Sequence, residues 1–197
     1  MILETSRLVL RPWKEADAES LYEYARDPLV GPAAGWPVHT SIENSQDIIR
    51  DVLSADETYA VTLKNDDTAI GSIGLMIGDK SNLDIGADEA EIGFWIGVPY
   101  WGQGLIPEAV RELMRYAFEN LSISTIWCAY FDGNEKSKRV SEKCGFQFHH
   151  TEKDKEWTLT NEIKTQHITC ITKEMHNEPV RKSAINSNSD RPANIIN

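Results

Sequence analysis

Along Thr5–Trp13 apolar and polar positions alternate and branched residues are frequent, a pattern that predicts a strand. The period then changes. Ala18, Leu21, Tyr22 and Ala25 fall on one stripe and predict a helix over Glu15–Arg26. Gly31, Pro32, Gly35 and Pro37 interrupt any period and predict a loop over Pro28–His39. Ser41 stands at an N-cap position ahead of a second helix carrying Ile48, Ile49, Val52 and Leu53. Strand-like runs follow at Thr58–Lys64 and Ala69–Gly78, joined by the turn residues Asn65, Asp66 and Asp67. A further strand is expected at Ala90–Val98, after the polar stretch Asp79–Asp88.

The strongest periodicity comes next. Ala109, Val110, Leu113, Met114, Ala117, Phe118 and Leu121 recur at three- and four-residue intervals and give one wide apolar helical face. Ser124–Phe131 reads as a strand, Asp132-Gly133 as a turn, and Asn134 to Cys144 as a short helix stopped by Gly145. Phe146–His150 and Thr165–Lys173 complete the strands. The order β-α-α-β-β-β-α-β-α-β-β, without an internal repeat, predicts one α/β (α+β) domain over residues 1–176, with a mostly antiparallel mixed central sheet and helices on both faces. Residues 177–197, polar and repetitive in Asn and Ser, are expected to form a flexible C-terminal tail.

Composition narrows the function classes. The 197 residues are 41% hydrophobic and 26% charged, as in ordinary globular proteins. The formal net charge of −11 comes without a Lys/Arg cluster long enough for a phosphate-binding face, which argues against nucleic acid and weakly favours cationic partners such as amines. No apolar run approaches the ~18–20 residues that span a bilayer. The first residues lack the pattern of a cleaved leader, so no membrane partner and a cytoplasmic location are expected. Cys128, Cys144 and Cys170 are odd in number and widely spaced, and read as free, buried thiols. The five histidines form no ligand pair, and the adjacent His149 and His150 would face opposite ways on a strand. No metal is expected. A monomer and a homodimer both fit.

The segment Val98–Glu108 carries chemistry. A strand ends, Gly102 and Gly104 permit torsions that other residues resist, and Pro107 sits where a helix begins. Successive amides in such a turn point inward, and the helix N-terminus adds partial positive charge. The turn is therefore suited to a diphosphate; a glycine-rich turn that binds nothing is the plainer alternative. A dinucleotide fingerprint is excluded because Pro107 holds the third glycine position, and no Walker sequence is present.

The stretch AEIGFWIGVPYWGQGLIPEAV resembles the acetyl-CoA signature of the GNAT acetyltransferase superfamily, closest in wording to its RimJ/RimL-like branch. SRLVLRP, GWPVHTS and NEKSKRVSEKCGF resemble the same branch, so the likeness spans about Thr5 to Lys173. The family pattern Q/R-x-x-G-x-G/A falls on Trp101 to Ile106; Gly104 matches, Trp101 is frequent in that branch, and Ile106 replaces a small residue. The resemblance implies acetyl-CoA as co-substrate, held by Gly102, Gln103, Gly104, Leu105 and Ile106. It places the pantetheine arm along Phe94, Ile96 and Val98, on a strand that splays from its neighbour, with Gly93 and Gly97 open for close approach.

Acetyl transfer to an amine needs a base, a donor to the developing oxyanion and help for the departing thiolate. Glu91, sharing a strand face with Gly93 and Trp95, is the candidate base and Glu89 the reserve; a solvated or ion-paired glutamate is the alternative. By resemblance Asn134 holds the arm and Ser137 assists the thiolate. Asn134 is equally a good N-cap, and Tyr130 is a distant substitute for Ser137. Trp36, in the loop, borders the acceptor site or merely plugs the core. The implied reaction is direct acetyl transfer to a primary amine. A protein N-terminal α-amino group is the acceptor implied by the branch; a small amine or antibiotic, or a non-catalytic acyl-CoA-binding module, are the alternatives.

Overall fold

The computed structural model describes residues 1–177; from residue 178 on, the expected tail lies outside the described residues. Eight strands form one sheet: β1 Leu3–Glu4, β2 Leu8–Arg11, β3 Thr58–Leu63, β4 Asp66–Ile77, β5 Glu89–Ile96, β6 Thr125–Phe131, β7 Gln147–Trp157 and β8 Glu162–Thr172. Their order is β1-β2-β3-β4-β5-β6-β8-β7, and every neighbouring pair is antiparallel except β5 and β6. This is the expected mixed, mostly antiparallel sheet.

The apolar stripe of α4 (Leu105–Asn120) lies on one face of the sheet, where Ala109, Val110, Leu113 and Ala117 lose all solvent contact against Leu8, Val61, Ile92 and Ile126. α5 (Glu135–Cys144) packs beside it and ends at Gly145, whose φ of 88° is the left-handed conformation a helix stop requires. On the opposite face α1 (Ala18–Ala25) and α3 (Ile42–Ile48) cover a second cluster containing Trp13, Leu21, Ile49 and Ala60. Ser41 caps α3 by accepting from the Asn44 amide. Beneath α1 the buried Arg11 guanidinium bonds both oxygens of buried Asp17 at 2.7 and 2.8 Å, and bonds Asp67 at 2.6 Å. It thereby ties β2, the start of α1 and the first residues of β4 together.

The sheet parts in the middle. β5 and β6 pair only through Glu89–Thr125, Ala90–Ile126 and Glu91–Trp127. Beyond Glu91, β5 continues with β4 alone, and beyond Trp127, β6 continues with β8 alone. A gap opens between the C-terminal halves of β5 and β6.

Several local expectations change. The first strand breaks at Thr5–Arg7, because those residues turn to bond Glu108. The loop Pro28–His39 holds one helical turn, α2 (Gly31–Ala34), ended by Gly35 at φ 89°. β7 and β8 reach much further than Phe146–His150 and Thr165–Lys173; they form a long hairpin whose outer part is charged on both faces. Lys173 starts a short α6 (Lys173–Asn177) instead of ending a strand. A register shift between Phe148 and His150 brings His149 and His150 together, with their Nδ1 atoms 2.7 Å apart, where unbroken alternation would separate them.

Candidate active site

The turn after β5 is built to leave amides free. Val98–Tyr100 form one 3-10 turn, and the chain then passes Gly102 (φ 76°) and Gly104 (φ 74°) before entering α4. Arg7 donates to the carbonyls of Gln103 at 3.0 Å and Gly104 at 3.2 Å. A peptide plane carries its N–H opposite its C=O, so the amides of Gly104 and Leu105 point away from Arg7. Among the described residues, the amides of Gly102, Gln103, Gly104, Leu105 and Ile106 have no hydrogen-bond acceptor. At the mouth of a 16-residue helix they form a concentrated set of donors of the kind that suits an anion.

The side chains leave that site open. Ile106 is 6% exposed and packs into the core under α4, so its size does not intrude on the turn. A side-chain carbon built at Gly102 would meet nothing within 4 Å. Gln103 folds back to the Pro99 carbonyl at 2.9 Å. Trp101 anchors the approach through its indole, which donates to the Ile96 carbonyl at 2.9 Å, and the Lys136 ammonium sits 4.0 Å above its ring. A cation thus flanks the turn.

Arg7 is itself held. Glu108, in the first turn of α4, accepts from Thr5, Ser6 and the Arg7 amide and pairs with the guanidinium at 2.6 Å. Burial would raise the Glu108 carboxyl, but these donors together draw it down to about 2.

The strand before the turn presents its backbone to the gap. The Gly97 amide bonds Ile70 of β4, so odd-numbered residues of β5 turn their hydrogen-bonding groups to β4 and even-numbered ones turn theirs toward β6. Past Glu91 no strand lies across, and the backbone of Phe94 faces the gap. The Ile96 carbonyl faces it too but is taken by Trp101, and Val98 lies beyond the strand, in the 3-10 turn. Gly93 has only the Met76 methyl nearby, at 3.6 Å. Gly97 is not open: a side-chain carbon there would fall 2.6 Å from the Tyr24 ring, which covers it.

At the vertex of the gap stand both expected carboxylates. Glu91, 7% exposed, accepts through Oε2 from the Ser81 hydroxyl and the Asn82 amide, each at 2.9 Å; its Oε1 has no partner among the described residues. Glu89 is tied through Oε2 to the Gly86 amide and the Trp127 indole, both at 3.0 Å. Cys128 lies close by, its thiol pushed up to about 12 by burial and by the Glu91 charge, and burial drives Cys144 to about 11. Neither is a nucleophile at neutral pH. Cys170 is half-buried, not buried as expected.

Across the gap, Asn134 caps α5 by accepting from the Ser137 amide at 3.1 Å, and its Nδ2 donates to the Ala33 carbonyl at 3.1 Å. The Ser137 hydroxyl has no partner among the described residues. Tyr130 packs against His167 with the two rings tilted and their centres 5.2 Å apart. Trp36 lies edge-on to Trp95 with ring centres 5.7 Å apart, beside the buried Trp13 cluster. Among the described residues no group of three or more His, Cys, Asp or Glu side chains is placed to hold a metal ion, and no helix is long and apolar enough to cross a membrane.

A sequence profile of the Acetyltransferase (GNAT) domain matches residues 7–147. The chain belongs to the GNAT acetyltransferases. It is 30% identical over 150 residues to p20 of Bacillus licheniformis, an uncharacterized N-acetyltransferase, covering 74% of this chain and 82% of that protein. A 65-residue stretch, 33% of this chain and 36% of its relative, is 45% identical to YdaF of Bacillus subtilis, a putative ribosomal N-acetyltransferase. The crystal structure of a GNAT-family acetyltransferase from Bacillus anthracis superposes with a TM-score of 0.77 at 23% identity, over 88% of this chain and 99% of that one, and so shares its fold. As a GNAT member the protein is an N-acetyltransferase.

Sequence reasoning missed Arg7, Glu108, Lys136 and Tyr24. Arg7 falls within SRLVLRP, read as part of the first strand and as a match to the family, and no local pattern signals a contact between positions 7 and 104.

Proposed function

We propose that this GNAT protein transfers the acetyl group of acetyl-CoA directly to a primary amine, the α-amino group of a protein N-terminus. The observation that supports this most is the run of five unpaired amides at the mouth of α4, beside a gap edged by free strand backbone. A diphosphate fits the first feature and an extended amide-bearing arm the second. The coenzyme would supply an activated acyl group with a thiolate as leaving group.

The chain's own residues then take distinct roles. Gly102, Gln103, Gly104, Leu105 and Ile106 donate main-chain hydrogen bonds to phosphate, with Lys136 alongside. Phe94 pairs with the arm. Glu91 Oε1 receives the amine's proton, directly or through one water, while Ser81 and Asn82 hold Oε2. Ser137, with its free hydroxyl at the start of α5, donates to the departing sulfur. Burial keeps the Cys128 and Cys144 thiols protonated at neutral pH, which supports direct transfer over a cysteine-bound acyl group.

The acceptor follows the relative YdaF, whose name describes a ribosomal N-acetyltransferase. One observation favours a second reading, an acyl-CoA-binding module without turnover: both vertex glutamates already accept structural hydrogen bonds. Purified protein given acetyl-CoA with N-terminal peptides and small amines should release free thiol, fastest with peptides. Coenzyme binding without acceptor-dependent thiol release would establish the module instead.

A further inference from the structure

The Gln103 carbonyl is deprived of its helical partner. In a regular helix it would accept from the amide of residue 107, but that residue is Pro107 and has no amide hydrogen. Among the described residues it has one partner, Nη1 of Arg7 at 3.0 Å. The next carbonyl, of Gly104, accepts from the Glu108 amide at 3.3 Å and from Arg7 Nη2 at 3.2 Å. One guanidinium thus fixes two successive peptide planes.

The glycine that lets the turn form also lets it come undone. Gly104 sits at φ 74°, and glycine takes negative φ about as readily as positive. Rotation of the Gln103–Gly104 peptide about the bonds on either side would carry Gly104 to negative φ and leave its neighbours in place. The Gly104 amide would then point toward Arg7, and the Gln103 carbonyl oxygen would face an incoming anion.

Arg7 is braced against this from three sides. Its carbonyl accepts from the Lys64 amide at 2.9 Å, and its amide donates to Glu108 Oε1 at 2.9 Å. Its Nε and Nη2 bond Glu108 Oε2 at 2.7 and 2.6 Å. A planar guanidinium can grip a carboxylate along one edge and two carbonyls along the other; an ammonium cannot. The pairing also offsets the Glu108 charge, which would otherwise repel a second anion at the same helix end.

We infer that Arg7 is a positioning residue for the coenzyme: braced by Glu108, it locks the Gln103–Gly104 peptide in the orientation that turns its N–H toward a diphosphate. It acts through the main chain of the turn. The inference rests on the reading of that turn as the diphosphate site. The reversed peptide is a state that cannot bind, so its population subtracts from the apparent affinity for molecules that carry a diphosphate, and from no others.

The test compares the wild-type protein with Arg7→Lys, which keeps a cation beside Glu108 without the fork, and with Arg7→Met, which removes both. Inorganic pyrophosphate is titrated while the Gly104 and Leu105 amides are followed by NMR. Its Kd should rise about tenfold in Arg7→Lys and further in Arg7→Met. Two acyl donors then separate positioning from a damaged fold. With acetyl-CoA, KM should rise by the same factors at constant kcat; with acetyl-pantetheine, which has no diphosphate, kcat/KM should match the wild type. Unchanged pyrophosphate and acetyl-CoA affinity in both variants would overturn the inference, as would equal losses with both donors, the mark of a structural role. If the wild-type protein binds acetyl-CoA and no acceptor reacts, the transfer reading fails while the pyrophosphate titration still decides the role of Arg7. If neither pyrophosphate nor acetyl-CoA shifts those two amides in the wild type, the turn is no diphosphate site and the inference falls with it.

Discussion

The turn at Gly102–Ile106 and the vertex at Glu89–Glu91 lie at the two ends of the same strand, yet they treat their polar groups in opposite ways. In the turn, Arg7 engages carbonyls and leaves the amides bare. At the vertex, donors from Ser81, Asn82, Gly86 and Trp127 converge on the two glutamates. The amides of exposed Gly102 and Gln103 can be served by water, which an anion could displace. The vertex is arranged differently: hydrogen bonds fix one oxygen of Glu91 and leave the other without a partner among the described residues. On the proposed function, binding would rest on the vacant donors and chemistry on a single vacant acceptor.

Three changes break or sharpen this contrast. The largest effect belongs to Glu91→Gln, which preserves an acceptor for Ser81 and Asn82 but cannot take the proton. It should lower kcat by about 10²- to 10⁴-fold with coenzyme affinity intact, as for loss of a general base. A wild-type pH–rate profile in that variant would end the assignment. Next is Gly104→Val. At φ 74° a β-branched residue is strained, and the amide fan should collapse. Acetyl-CoA affinity should fall about a hundredfold in calorimetry while far-UV dichroism stays native; unaltered affinity would remove the turn from the mechanism.

The smallest effect probes the scaffold behind the turn. The folded-state carboxyl of Glu108 sits near 2 against an ordinary 4.5, so it binds fewer protons than in the unfolded chain. Its contribution is complete above pH 4.5 and disappears as pH falls toward 2. Because Arg7 is half exposed, solvent limits the loss to about 1 kcal/mol. Denaturation curves across that window should slope less in Glu108→Gln than in the wild-type protein. Parallel curves would show that the tie carries no stability.

Much of this was legible in the chain because it depends on local pattern. The alternation before Gly97 and the stripe from Ala109 to Phe118 announce β5 and α4, and two glycines before a proline announce the turn. What stayed hidden depends on partners far away in sequence. Residues 151–164 show no apolar alternation, since one face meets water and the other packs through a single aromatic, Trp157, beside Lys155 and Lys164, and so their pairing left no hydrophobic trace. Gly97 reads as open until Tyr24 is seen on top of it. Arg7 looks like any surface arginine until the chain brings it 97 positions onward to Gly104.

The short ladder between β5 and β6 has a mechanical consequence. Three residue pairs bind two leaves, β1–β5 and β6–β8, along one edge, as a spine binds a book. Any extended molecule that bridges the free margins splices the leaves into a continuous sheet. Occupancy of a narrow slot would then stiffen residues far beyond those it touches.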